Sequence, residues 1–134
     1  MKRRSFLALA AAASLPSISF AAADYTPGLV KKHLAAGDTV FLDFKASWCS
    51  TCKAQERVID ALKKANPAYD ANIVFIAVDW DQYGNSDLVK DMRIPRRSTL
   101  VAIKGDKELG RIVAGTSKSQ IKALMDSALN AATA

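Results

Sequence analysis

Cysteine and histidine are scarce in this chain, with two cysteines and one histidine among 134 residues. Two cysteines are too few for a disulfide-stapled mini-protein. With His33 they fall short of the four ligands of a structural zinc site, so a single chain is not expected to hold a metal. Only a dimer would bring four thiolates together. After residue 23 no uninterrupted apolar stretch of about 20 residues occurs, so no membrane span is expected there. No basic stripe interleaved with aromatics is found, which removes nucleic acid from the expected partners. Beyond residue 23, internal repeats and low-complexity tracts are also missing. What is present is enough apolar character for one compact domain: half the residues are hydrophobic, so a core can form without a disulfide scaffold.

The N-terminus reads as an address rather than as structure. Lys2, Arg3 and Arg4 form a basic region, Phe6 to Leu15 a mildly apolar run, and Ala21 and Ala23 the small residues of an A-x-A cleavage site. Cleavage is expected before Asp24. This divides the chain into an export signal, residues 1–23, and one domain, residues 24–134. The run is too short for a spanning helix, and Pro16 interrupts it. Arg3-Arg4-Ser5-Phe6-Leu7 resembles a twin-arginine signal; the alternative is the general secretory route. Either route leads to the periplasm, with no stable membrane insertion after cleavage. Losing residues 1–23 lowers the net charge from +6 to +3, a mild excess.

In the remaining chain, Thr26-Pro27 predicts a helix start and Gly37 its end. Residues 39–46 form a strand with few polar breaks, which predicts burial on both faces. Apolar residues at Val58, Ile59, Leu62 and Ala65 predict a helix over 53–65. A second buried strand spans 72–78, a polar loop 79–85, and a short helix 86–92 with Ser86 as its cap. A third strand at 98–103 pairs through a turn with a hairpin strand at 109–114. Ser117-x-x-Gln120 predicts a capping box opening the last helix. The order α-β-α-β-α-β-β-α implies a parallel pair followed by an antiparallel hairpin.

Cys49 and Cys52 stand three positions apart in SWCSTCK, directly after the first strand. As a metal clip they lack ligands. As a staple they close so short a loop that the unfolded chain is barely restrained. As a redox pair they have a physical basis. A thiolate at Cys49 would face the unpaired N–H groups and positive end of the following helix, which lowers its pKa and prepares it to attack a disulfide. Cys52, one turn on, would resolve the mixed disulfide. Trp48 is a candidate surface for a substrate peptide. His33, near a helix C-terminus, is assigned no role.

Phe41-Leu-Asp-Phe-Lys-Ala-Ser-Trp-Cys-Ser-Thr-Cys-Lys53 resembles the thioredoxin-fold thiol–disulfide oxidoreductases, and the likeness extends over about residues 38–130. It implies an α/β fold with a central mixed four-stranded sheet flanked by helices and a β-hairpin near the C-terminus. It implies Cys49 as attacking thiol, Cys52 as resolving thiol, and Asp43 as a buried acid that moves the resolving thiol's proton. Ser50, Thr51 and Lys53 would tune the redox poise. Three departures stand out. Ser50-Thr51 replaces the Gly-Pro of cytosolic thioredoxin. Ala77 stands where the family's thioredoxins carry a lysine near the buried Asp. The family's cis-proline falls on Ile94-Pro95, but Arg96-Arg97-Ser98 separates it from Thr99-Leu100, so the approach to the strand is longer or the loop has shifted. If that loop faces the site, Ile94 and Pro95 would line the substrate groove and Arg96 and Arg97 would stand near the thiols.

The expected function is a monomeric periplasmic thiol–disulfide oxidoreductase without a separate cofactor, its redox group being the Cys49–Cys52 disulfide. The Trp-Cys-x-x-Cys-Lys block and the lack of histidine between the cysteines favour a reductase of protein disulfides. A reductase in an oxidising compartment needs an electron source, and the resemblance implies a membrane-embedded electron relay. An oxidase or isomerase, and a non-catalytic binding module on the same fold, are the alternatives.

Overall fold

The computed structural model describes residues 22–134. The expected export signal lies outside the described residues except for Ala22 and Ala23. The elements are β1 (Ala23–Asp24), α1 (Leu29–Ala35), β2 (Thr39–Lys45), α2 (Ser50–Ala65), α3 (Ala68–Asn72), β3 (Val74–Asp79), α4 (Trp80–Tyr83), α5 (Asp87–Met92), β4 (Thr99–Lys104), β5 (Lys107–Val113) and α6 (Lys118–Thr133). The sheet order is β1-β3-β2-β4-β5. β2 runs parallel to β3 and antiparallel to β4, and β5 closes the hairpin.

β2 occupies the centre, which explains its near-continuous apolar run. Alternate side chains point to opposite layers. Phe41 enters the layer under α2, α3 and α6, with Ile59, Leu62, Tyr69 and Met125. Val40, Leu42 and Phe44 enter the other, with Val30, Val89 and Ile94. Each large apolar side chain so buried contributes roughly 1.5–3 kcal/mol. Asp43 lies on the Phe41 side, under α2. α6 buries Ile121, Leu124, Met125 and Ala128, an i, i+3, i+4, i+7 stripe, and Ser117 caps it through the Gln120 N–H.

Several boundaries differ from the sequence expectation. The sheet has five strands, because Ala23 and Asp24 pair with Ile76 and Ala77. A two-residue strand of small and polar residues carries no periodicity to detect. The expected cleavage point, before Asp24, thus falls inside β1. α1 starts at Leu29 rather than at Pro27, because Gly28 takes a left-handed conformation, φ 89°, that places a turn before the helix. α2 starts at Ser50, one turn earlier than its apolar spacing suggested. Pro67 opens the short α3, and part of the expected 79–85 loop is α4. No helix among the described residues is long and apolar enough to cross a membrane.

Candidate active site

The polypeptide leaves β2 at Lys45 and turns through Ala46–Trp48 into α2. Cys49 is the N-cap of α2, in extended conformation, and its sulfur accepts the Cys52 N–H at 3.1 Å. A polar cap normally supplies an oxygen here; in this chain the sulfur satisfies the orphan amide. The same amide and the helix dipole favour negative charge on that sulfur. Cys49 and Cys52 form a disulfide with Cα atoms 5.3 Å apart. Both are buried. Ser50 is the exposed first residue of α2, Thr51 is half-buried, and Lys53 is exposed.

Trp48 is 58% exposed beside this buried pair. Its Nε1 donates to both carboxylate oxygens of Asp81 at 3.0 Å, and the Arg97 guanidinium lies 4.4 Å from the ring centroid. An acid on α4 and an arginine on the approach to β4 therefore hold the indole in place. Arg97 is stacked on Trp48, the neighbour of Cys49 in the sequence.

The expected arrangement at Ile94 and Pro95 is not what the structure holds. No peptide bond among the described residues is cis, so Ile94-Pro95 is trans. Ile94 is buried in the core layer with Val89 and Val101, and Pro95 is exposed. The residue that meets the pair is Ser98, whose Oγ is 3.1 Å from each sulfur. The reason is the spacing: Arg96-Arg97-Ser98 carries the chain past Pro95, so the residue directly before Thr99-Leu100 reaches the sulfurs. Ser98 donates its N–H to the Phe44 carbonyl at 2.7 Å, and Thr99 Oγ1 donates to the Arg96 carbonyl, closing the approach.

Gln55, fully buried one turn beyond Cys52, locks this segment. Its Nε2 donates to the carbonyls of Ser98 and Gly115, at 2.9 and 3.0 Å. Gln55 and Ser98 were missed in the sequence reading. The available signals were a glutamine on the apolar stripe Cys52-Ile59-Leu62 and a serine directly before Thr-Leu, where the family has proline. Gln55→Ala removes both bonds and leaves the Gly115 carbonyl short of a donor. We expect roughly 2–3 kcal/mol of lost stability, read as a lower urea midpoint.

Asp43 pairs in register with Ala77, so β3 offers no lysine to it. Its Oδ1 is buried without a hydrogen-bond partner among the described residues. Burial pushes its pKa up to about 7; Lys45 and Lys63 oppose the rise, and Glu56 and Asp60 add to it. These groups line a cavity of about 550 Å³ between β2 and α2. Lys63 is buried, with Nζ 3.2 Å from Asp70 and 3.8 Å from the Phe75 ring centroid. The carboxyl therefore titrates near neutrality, on the sheet face that α2 covers.

His33 Nδ1 lies 2.9 Å from Asp38, remote in the fold from the cysteines. Among the described residues no group of three or more His, Cys, Asp and Glu side chains could hold a metal ion.

Residues 19–127 match the family model described as thioredoxin. Thioredoxin-2 of Saccharomyces cerevisiae is 37% identical over 90 residues, covering 66% of this chain and 80% of that protein. Thioredoxin H2-1 of Oryza sativa subsp. japonica is 31% identical over 90 residues, covering 67% of this chain; the match spans only 60% of the rice protein's length. Among solved structures, Trxlp from Edwardsiella tarda EIB202 superposes with a TM-score of 0.66 at 28% identity, over 78% of this chain and 98% of that one.

Proposed function

This chain belongs to the thioredoxin family, and from that premise we propose that it is a periplasmic thiol–disulfide oxidoreductase that reduces protein disulfides through Cys49 and Cys52. The observation that carries this reading is the placement of Cys49 as the N-cap of α2, with its sulfur on the Cys52 amide. The Cys49 thiolate attacks one sulfur of a substrate disulfide. That bond breaks, and the leaving sulfur departs with the electron pair. Cys52 then loses its proton, with Asp43 as acceptor, and attacks Cys49 Sγ. The Cys49–Cys52 bond forms and the second substrate thiolate is released. Two electrons pass to the substrate, whose first thiolate is protonated from solvent, as is the second once released, and Asp43 returns the Cys52 proton to solvent. The chemistry runs on the chain's own sulfurs and needs no cofactor. Re-reduction calls for a dithiol donor, and in an oxidising compartment a membrane-embedded electron relay fits that need. One copy of the chain holds every group the reaction uses, which suits a monomer.

The pair is buried, so a protein substrate must dock around it, and exposed Trp48 offers the apolar surface. Trp48→Ala is expected to raise KM for a protein disulfide about tenfold, an effect typical of a tryptophan anchor. Oxidation by a small disulfide should change far less. Equal losses toward both substrates would assign Trp48 to packing instead.

Export rests on the basic region and A-x-A site of residues 1–23. Residues 1–23 fused to a reporter active only outside the cytoplasm should yield activity, and a silent fusion would contradict export. Replacing Arg3 and Arg4 by lysine in that fusion separates the routes. Loss of activity marks the twin-arginine route, and retention marks the general secretory one.

A further inference from the structure

Ser98 is fully buried and adopts φ 63°, a left-handed conformation that L side chains seldom take. Its backbone is fixed from three sides. The N–H donates to Phe44, and the carbonyl accepts from the Ala114 N–H at 2.8 Å and from Gln55 Nε2. None of these bonds uses the hydroxyl. Serine in this conformation usually turns its hydroxyl to nearby backbone. Here the partners of the hydroxyl are the two sulfurs, each at 3.1 Å. A glycine would suit the backbone better, so the side chain is the feature to explain.

A buried hydroxyl needs an acceptor. A disulfide sulfur is a weak one, whereas a thiolate is charged and binds a donor much more strongly. The Ser98 bond must therefore strengthen when the pair is reduced and Cys49 ionises. We propose that Ser98 is a catalytic hydroxyl of the exchange reaction, donating to the Cys49 thiolate and thereby stabilising the dithiol relative to the disulfide. The proposal rests on the exchange chemistry of Cys49 and Cys52, whichever direction it runs.

The balance is simple. Reduction by a dithiol donor breaks the Cys49–Cys52 bond and delivers two electrons. Cys52 keeps one proton as a thiol, and Cys49 sheds its own above its pKa. The Ser98 proton stays on its oxygen and is shared with the Cys49 sulfur, so Ser98 consumes nothing. Its bond adds to that of the Cys52 amide, giving the thiolate two donors from different elements. In a reductase this effect works against donor strength. It trades driving force for a larger thiolate fraction, and so for faster attack at neutral pH.

The test compares the full chain with Ser98→Ala and Ser98→Gly. Both remove the hydroxyl, and only glycine relieves the left-handed backbone. The pH dependence of Cys49 alkylation by iodoacetamide gives the thiolate pKa. Equilibration with glutathione, above the pKa of Cys49 in all three proteins, gives the redox constant. Both variants should show a Cys49 pKa about one unit higher. Both should give up electrons about tenfold more readily, which is about 30 mV more negative. The charged groups around the pair (Asp43 on β2, Lys53 and Glu56 on α2, Asp81 on α4, Arg97 before β4) are the same in all three. Urea unfolding confirms that each variant is folded, with the glycine variant the more stable. An unchanged pKa and redox constant in both variants would overturn the proposal. So would a shift confined to one of them, because that would trace to the backbone. The comparison is between variant and wild type, so it is independent of the wild type's own potential, which tests the reductase reading.

Discussion

Cys49→Ser should abolish disulfide reduction, whereas Cys52→Ala should leave the first attack intact and halt the reaction at a mixed disulfide. The two cysteines are alike in burial but not in position. Cys49 is the N-cap and accepts the helix amide; Cys52 is inside the first turn and supplies it. The helix amide and the helix dipole favour negative charge on the Cys49 sulfur rather than on that of Cys52. A serine hydroxyl there would not ionise and cannot attack. Without Cys52, the bond between Cys49 and substrate has no neighbouring thiol to break it. The check is non-reducing electrophoresis after exposure to a disulfide-bonded protein. Cys52→Ala should accumulate an adduct that dithiothreitol removes, and Cys49→Ser should form none. Equal adducts through either cysteine would show that position in the helix does not set the roles. Full function in the absence of both cysteines would favour the binding module.

Asp43→Asn should alter both stability and turnover, with opposite signs. The folded carboxyl titrates at about 7 rather than 3.8, chiefly through burial. Between these values the folded protein holds a proton that the unfolded chain has released. Stability therefore falls as pH rises from about 4 to about 7 and levels off above. Roughly three units at 1.36 kcal/mol each set the size of this loss at about 4 kcal/mol. The asparagine variant carries no charge to bury. It should match the wild type near pH 4, lack the decline, and be the more stable protein at pH 8. Urea unfolding of the oxidised proteins across that range reads the difference directly. In turnover the effect reverses. Without a proton acceptor, release of the mixed disulfide should slow about a hundredfold, within the usual range for general acid–base groups. Formation of the mixed disulfide should be unchanged. The wild-type release rate should rise through pH 7, and the variant's should not.

Much of this site is legible before any coordinates. The apolar run around Asp43 marks a central strand, and two cysteines directly after it mark a strand-to-helix junction. What escapes is what depends on packing across elements. α2 begins at Ser50 because Cys49 caps it through sulfur, a cap that polar-residue rules do not anticipate. Pro95 is singled out by the resemblance to the family's cis-proline, yet the three residues after it carry the chain on until Ser98 faces the sulfurs. Gln55 lies on the apolar stripe of α2, but its role emerges only when the helix is docked and its amide closes on Ser98 and Gly115. Lys63, a charged residue in the last turn of α2, is buried against Phe75 and Asp70. β1 is too short to carry a pattern.

The most direct test of the reductase reading is the reduction potential of the Cys49–Cys52 pair, measured in a thiol–disulfide buffer. A strong donor has a potential near that of thioredoxin, about −270 mV, and a strong oxidant lies near −120 mV. We predict a value close to the first, moderated toward the oxidising side by the Ser98 hydroxyl. A value near the second would contradict a reductase and turn the same cysteines into a device for installing disulfides.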